Sequence, residues 1–182
     1  MLTAANALSC LSETDFEYYS EKFPDIKISL EYVFHENEKV TNKEGRGNYI
    51  LYHGNLSLLD NYQLIIELLN NELKNCSHPI VLAGKDPPIS LIELTKRRQN
   101  IRLISNPSNA EMYTLLQEAH ICLAIAKNPS GVKLKLINSL FATRFVISNE
   151  YAVNGSGLEE LCIIPNNKNS YENIIDELTI KN

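Results

Sequence analysis

The chain has 182 residues, 44% hydrophobic and 21% charged, with a formal net charge of −5. That length suffices for one well-cored domain with an appendage, and the composition excludes a disordered chain. The acidic balance excludes a generic nucleic-acid binder, which needs a broad basic field, and no apolar run is long enough to be read as a signal peptide or a membrane span.

Residues 1–36 form a first region. Ala7–Leu11 is a short apolar run, and Ser12-Glu13-Thr14-Asp15 is rich in helix-start residues. Phe16–Phe23 then gives a short aromatic helix stopped at Pro24, and Ile26–Phe34 alternates as a strand does. The polar stretch around Gly45-Arg46-Gly47 marks residues 37–47 as an exposed linker, so a second unit begins at residue 48 and runs to 182.

From Asn48 strands and helices alternate. Strands are expected at Tyr49–Tyr52, Pro79–Ala83, Ile101–Ile104, Ile121–Ala126, Phe145–Ser148 and Leu161–Ile164. Between them helices are expected over Asn61–Lys74, Ile89–Gln99 with a basic end, and Ala110–Ala119 behind an Asn106-Pro107-Ser108 cap region. Glu150–Gly157 reads as a loop leading to a short helix, and Ser170–Leu178 as a closing amphipathic helix. Strict alternation of this kind makes a parallel sheet covered on both faces, with Tyr49–Tyr52 and Ile121–Ala126 near its centre.

The most informative helix follows Asn128-Pro129-Ser130, with Ser130 as its expected N-cap. At about 100° per residue, Val132, Leu134, Leu136, Ile137, Leu140 and Phe141 sweep an apolar arc, while Gly131, Lys135, Asn138 and Ser139 fall opposite, with Lys133 at the margin. A cation in the first turn opposes the helix macrodipole by roughly 0.3–1 kcal/mol. A bound anion would reverse that cost, and Gly131 would let it approach the backbone; a solvated lysine face accounts for the same residues. Ligands of open parallel sheets bind beyond the carboxyl ends of the strands. The loops there carry Gly54-Asn55, Gly84-Lys85, Asn106-Pro107-Ser108 and Asn128–Gly131. Gly54 and Gly84 each close a strand, where free backbone torsions or close approach are useful.

Other residues carry less. Cys10, Cys76, Cys122 and Cys162 lack paired metal-ligand spacing and read as buried free thiols of a reducing cytoplasm. His120 is expected to close a helix C-terminus, and His53 either caps a loop or serves a site. His35 and His78 belong to no constellation. A response-regulator-like domain would need paired aspartates at an early strand end, which the sequence lacks.

Three segments carry a family resemblance: Tyr-Ile-Leu-Tyr-His-Gly-Asn-Leu-Ser, then Val-Leu-Ala-Gly-Lys, then Gly-Val-Lys-Leu-Lys-Leu-Ile-Asn-Ser-Leu-Phe-Ala-Thr-Arg-Phe-Val-Ile-Ser. From about Tyr49 to Pro165 the chain resembles the C-terminal, nucleotide-sugar-binding domain of group 1 (family 4-like) glycosyltransferases. The resemblance implies a Rossmann-like doubly wound α/β domain, one half of the two-domain GT-B architecture, over residues 48–182. It makes residues 1–36 a strand–helix–strand remnant of an N-terminal acceptor domain that is otherwise missing.

By the same resemblance the donor, a nucleotide diphosphate sugar, would meet Gly54, Asn55, Lys85, Ser130, Gly131, Lys133, Lys135 and Asn138. The family's E-x7-E pair falls on Ser130 and Asn138, neither acidic, and Lys135 matches a lysine found in a subset of the family. The family's arginine and lysine of the first loop and helix give way to His53 and Asn55, leaving Lys85 and Lys133 to replace their charge. No metal or cofactor is implied, nor is nucleic acid a partner. The acceptor would be a glycan or a lipid-linked glycan, met through the missing or separate domain, in polysaccharide biosynthesis. A cytoplasmic protein is expected, with room for peripheral association at the inner membrane face and for self-association through residues 1–36. A module that keeps the fold without turnover is the alternative.

Overall fold

The computed structural model describes residues 5–31, 35, 37–129, 133–166 and 168–180. Its N-terminal piece is β1 (Ala7–Cys10), α1 (Glu13–Lys22) and β2 (Lys27–Leu30), the two strands pairing in parallel. Ser12 caps α1, its hydroxyl accepting from Asp15 N at 3.2 Å. No residue of α1 is buried, and Leu11 and Tyr18 are 53% and 52% exposed. The expected strand at Ile26–Phe34 is described only over β2, since residues 32–34 lie outside the described set.

The main sheet has five parallel strands in the order β5-β4-β3-β6-β7. They are β3 (Tyr49–Asn55), β4 (Ile80–Lys85), β5 (Ile101–Ser105), β6 (Ala119–Ala124) and β7 (Phe145–Ser148). The intervening helices are α2 (Leu59–Asn70), α3 (Ile89–Arg97), α4 (Asn109–Glu118) and α5 (Leu134–Ala142), followed by α6 (Glu150–Val153) and α7 (Tyr171–Ile180). β3 is central and strand order reverses between it and β6, as in a Rossmann-like sheet.

Both sheet faces are covered because alternate strand residues are apolar on each side. Ile50, Tyr52, Ile80, Leu82, Ile121 and Leu123 pack with Ile65, Leu68 and Leu69 of α2, Leu91 of α3 and Ile174, Ile175 and Leu178 of α7. Tyr49, Leu51, Val81, Ala83 and Cys122 pack with Leu115 and Leu116 of α4 and Ala142 of α5. Each fully buried large aliphatic side chain contributes roughly 1.5–3 kcal/mol, so the central strands dominate the core.

Four features depart from the sequence reading. The helix expected from Ser130 begins at Leu134, with an extended Lys133 at its boundary; Ser130 and Gly131 lie outside the described residues. Glu150–Val153 is helical rather than a loop, because Asn149 caps it by accepting from Ala152 N at 3.1 Å. The strand expected at Leu161–Ile164 reduces to a single 3-10 turn at Glu159–Leu161 and one parallel bridge, Ile147 to Ile163. α5 also brings Ser139, expected on its polar side, into the core beside Leu136 and Ala142, while Leu134 of the expected apolar arc is 48% exposed.

Residues 37–47 have no regular structure, yet they are fastened along the domain. Thr41 N donates to Phe141 O at 2.7 Å, Tyr113 Oη donates to Thr41 Oγ1 at 2.8 Å, and Arg144 Nε donates to Gly45 O at 2.5 Å. Gly47 allows this: a Cβ there would lie 2.4 Å from the backbone nitrogen of His120.

Candidate functional site

The order reversal between β3 and β6 opens a crevice at their carboxyl ends. β3 brings Gly54 and Asn55 there, and β4 brings Gly84 and Lys85 alongside in register. The two glycines serve differently. A Cβ on Gly84 would stand 1.9 Å from Gly54 O, so that position needs close approach, whereas Gly54 has φ +155°, a torsion side chains disfavour.

Asn55 organises the turn into α2. Its Oδ1 accepts from Ser57 N at 3.1 Å and from Ser57 Oγ at 2.7 Å, and its carbonyl accepts from Asn61 Nδ2 at 2.9 Å. Across the crevice runs the segment leaving β6. Between the two lies a cavity of about 320 Å³ lined by Leu58, Leu59, Asp60, Asn61, Ala126, Lys127, Asn128 and Lys133. Asn128 Nδ2 donates to Asp60 Oδ2 at 3.1 Å, and Lys133 Nζ donates to Asn128 Oδ1 at 3.4 Å. Lys127 Nζ donates to Gln63 Oε1 at 3.3 Å and lies 3.8 Å from Glu67. Burial lowers the Lys133 ammonium below the usual lysine range.

The helices meeting this edge differ in their caps. Ser108 holds the start of α4 in a full capping box with Glu111, and Asn149 holds α6. Leu58, Pro88 and Lys133 stand before α2, α3 and α5, and none makes a side-chain cap bond. These three helices follow β3, β4 and β6, so their positive dipole ends lie at the carboxyl edge of the sheet.

Beneath it, α5 is joined to the sheet by a buried polar seam. Ser139 Oγ donates to Lys135 O at 2.7 Å, with His53 Nε2 3.2 Å and Cys122 Sγ 3.1 Å away. With the hydroxyl proton so used, His53 and Cys122 are the donors to its oxygen. Burial, then the charge of Lys135, brings the His53 imidazole down to about 4, and burial raises the Cys122 thiol to about 12. Lys135 Nζ donates to Ile125 O and sits 5.3 Å from the centroid of the Tyr52 ring. Burial brings its ammonium down to about 8.

Of the residues expected from sequence, Gly54, Asn55, Lys85 and Lys133 come to the carboxyl edge, with Lys135 directly below. Lys133, read as marginal, lines the cavity wall; Lys135, read as facing the ligand, is tucked against Ile125 and Tyr52. Asn138 faces the linker, its Oδ1 accepting from Asn37 Nδ2 at 2.8 Å. His53 caps no loop but anchors α5. His120 does close a helix end, that of α7 rather than its own neighbour: its Nε2–H donates to Leu178 O at 2.8 Å and its Nδ1 accepts from Gly47 N at 3.1 Å. His35 packs against Phe141, and His78 pairs with Asp176 at 2.9 Å. Sequence reading placed Asn128 on a loop of this edge without giving it a role, and missed Asp60, Asn61 and Lys127, whose polar types beside strand ends were the available signal.

Among the described residues no cluster of three or more His, Cys, Asp or Glu could hold a metal ion, and no helix is long and apolar enough to cross a membrane. No protein-family model matches the chain, and no curated protein matches it. Solved structures do. A TarM point mutant from S. aureus, in complex with Fondaparinux, alpha-GlcNAc-glycerol and UDP, is similar with a TM-score of 0.68 and 14% identity, over 98% of this chain and 36% of that one. The pneumococcal O-GlcNAc transferase GtfA, in complex with UDP and GlcNAc, is similar with a TM-score of 0.60 and 15% identity, over 80% of this chain and 30% of that one. A glycosyltransferase from Rickettsia africae is similar with a TM-score of 0.59 and 15% identity, over 95% of this chain and 53% of that one. The chain thus spans about a third of the length of the first two and about half of the third. The likeness is one of fold: a parallel five-stranded α/β sheet matching the Rossmann-like domain of GT-B glycosyltransferases.

Proposed function

We propose that this chain is the donor-binding half of a glycosyltransferase, taking a nucleotide diphosphate sugar at the carboxyl edge between β3 and β6. The observation that carries the reading is the cavity of about 320 Å³ at the carboxyl edge, where Lys127 and Lys133 meet the start of α2, a helix whose boundary residue Leu58 makes no side-chain cap bond. Such N–H groups and cations suit a diphosphate. The UDP held by the similar S. aureus and pneumococcal proteins supports the same class of ligand.

In this reading the phosphates face Ser130, Gly131 and Lys133, with Lys135 supplying charge from below and Lys85 from the side. The nucleoside lies over Gly54 and Asn55, and its ribose approaches Asn138. The lysines and helix N–H groups stabilise the diphosphate as it leaves the sugar. The acceptor, a glycan or lipid-linked glycan, is held by a separate acceptor domain, which also supplies any base the transfer needs.

Calorimetric titration of the full chain with uridine and guanosine diphosphates tests this. Saturable binding at or below millimolar concentration of either is expected; no binding of either at that concentration overturns it. The second reading, a module that keeps the fold without turnover, draws on the neutral Asn138 and Ser130 where the family resemblance expects acids. It predicts nucleotide binding, if any, with no transfer when an acceptor half is added.

A further inference from the structure

A second cavity, of about 800 Å³, shares no lining residue with the one at the carboxyl edge. Four stretches wall it: Leu11 with the start of α1, the linker around Val40, the run from the second half of α5 into β7, and the loop after α6. Ile137, Leu140, Phe141, Phe145, Val146 and Ile163 are half-buried or buried in its lining. Leu11, Val40 and Leu161, all more than half exposed, stand at its mouth. Enclosure from several sides at this volume suits a small molecule better than a flat protein surface.

The hydroxyls in the lining are already used. Ser12 Oγ donates to Asp15 Oδ2 at 2.8 Å, Thr143 Oγ1 to Ser139 O at 2.7 Å, and Ser156 Oγ to Val153 O at 2.6 Å. A sugar or nucleoside would forfeit hydrogen bonds against such a wall, whereas a hydrocarbon forfeits none. Arg144 is the exception. It donates to the carbonyls of Gly45, Gln117, Ala119 and Glu44, so one of the five guanidinium N–H donors remains. Carbonyls leave its charge uncompensated, and among the described residues no carboxylate pairs with it. Glu13, the sole carboxylate among the described lining residues, is exposed in the first turn of α1, where the helix dipole favours it.

We propose that this cavity binds a single-chain anionic amphiphile, its hydrocarbon along the apolar wall of α5 and β7 and its anionic group at Arg144. The charge complementarity sets the head and the spent hydroxyls set the body. The ligand is a monomer from solution; a second copy of the chain seated on the same mouth is the competing occupant. The site is separate from the nucleotide reading and does not depend on it.

Calorimetric titration of the full chain with decyl phosphate, decanol and decyltrimethylammonium, each below its micelle concentration, tests this. Saturable one-to-one binding of decyl phosphate is expected, roughly tenfold or more tighter than decanol, as a charge-assisted bond gives. Octyl phosphate, two methylenes shorter, should bind roughly tenfold more weakly. Val40→Asp and Leu161→Asp place a carboxylate at exposed positions of the mouth and should each weaken decyl phosphate at least tenfold, with the circular dichroism spectrum unchanged. No saturable binding of decyl phosphate overturns the proposal. So does equal binding of decyltrimethylammonium, or affinity unchanged in both variants. A wild-type dimer in sedimentation that Leu161→Asp dissociates and decyl phosphate does not would make a second copy the occupant, and overturns it too.

Discussion

At the amino edge of the five-stranded sheet, helix and turn carbonyls are met by side chains of the domain itself. Arg98 donates to Leu69 O, Leu73 O and Cys76 O, and Asn100 donates to Cys76 O and His78 O. Arg144 donates to Gln117 O and Ala119 O, and His120 donates to Leu178 O. At the carboxyl edge α2, α3 and α5 begin without a side-chain cap, and large apolar residues stand exposed at or beside their starts, Ile89 at 74% and Leu58 at 54%. A cap is worth about 1 kcal/mol, so the second edge forgoes stability that the first secures. Such local losses collect where a protein binds something.

The sharpest way to break this contrast is at the closed edge. Arg144→Ala removes donors from four backbone carbonyls of three segments, Glu44 and Gly45 in the linker, Gln117 in α4 and Ala119 in β6. A loss of about 3 kcal/mol of unfolding free energy is expected from charged bonds of this kind. Urea denaturation measures it, and a loss below ~1 kcal/mol would mean water replaces the arginine.

At the open edge the corresponding effect falls on ligand binding. Lys135→Met is expected to weaken uridine diphosphate roughly ten- to a hundredfold, as loss of a charged contact does. Its titration adds a pH signature. The ammonium stands at about 8, below the 10.5 of the free side chain, so diphosphate affinity should fall as pH rises through 8. Unliganded stability should move the other way. Between about 8 and 10.5 the unfolded chain holds the extra proton, so wild type gains stability with rising pH across that window. A flat wild-type profile there, or an equally sloped one in Lys135→Met, contradicts this.

His53 supplies the acid counterpart. Its folded value near 4 lies below the 6.5 of the free side chain, so stability is full above 6.5 and is lost as pH falls through 4. The acid slope should be shallower in His53→Gln, monitored by circular dichroism between pH 4 and 7; equal slopes would place the proton-sensitive group elsewhere.

The smallest expected effect sharpens the contrast most directly. Leu58 is already extended, with φ −78° and ψ 129°, so Leu58→Ser can cap α2 without backbone change. Thermal unfolding should report a gain of about 1 kcal/mol, accompanied by weaker nucleotide binding because the N–H groups are now occupied. A gain in stability with unchanged binding would detach α2 from the site.

What could be read from sequence follows the range of the interactions. An N-cap region at Asn106-Pro107-Ser108 is readable from the sequence, and the structure completes it with Glu111, three residues beyond Ser108, as a capping box. The run Ile121–Ala126 declared a buried strand by its apolarity, and four of its residues belong to β6. The burial of Ser139 in α5 could not be read this way. Helical periodicity sorts Ser139 with polar residues, but its hydroxyl is buried because His53 and Cys122, 86 and 17 residues away, sit opposite it in the sheet. The Asn37–Asn138 bond is of the same kind, set by where a segment without regular structure crosses a helix. Gly84 lies between: its need for a bare backbone was foreseeable, while the obstacle, Gly54 O, is known only from the register of β3 and β4.

The central position of β3 has a consequence for synthesis. β3 ends at Asn55, and its neighbour on one side, β4, begins at Ile80, but its neighbour on the other side, β6, begins only at Ala119. At roughly 5–20 residues per second, a ribosome exposes β3, β4 and β5 for seconds before β6 can pair. During that interval the unpaired backbone N–H and C=O groups along the open edge of β3 are a template for another nascent chain. Ribosome-bound intermediates that present residues up to 105 should therefore be protease-sensitive and bind holdase chaperones, whereas those presenting residues up to 148 should be protected. Equal sensitivity of the two would show that the half-sheet closes some other way.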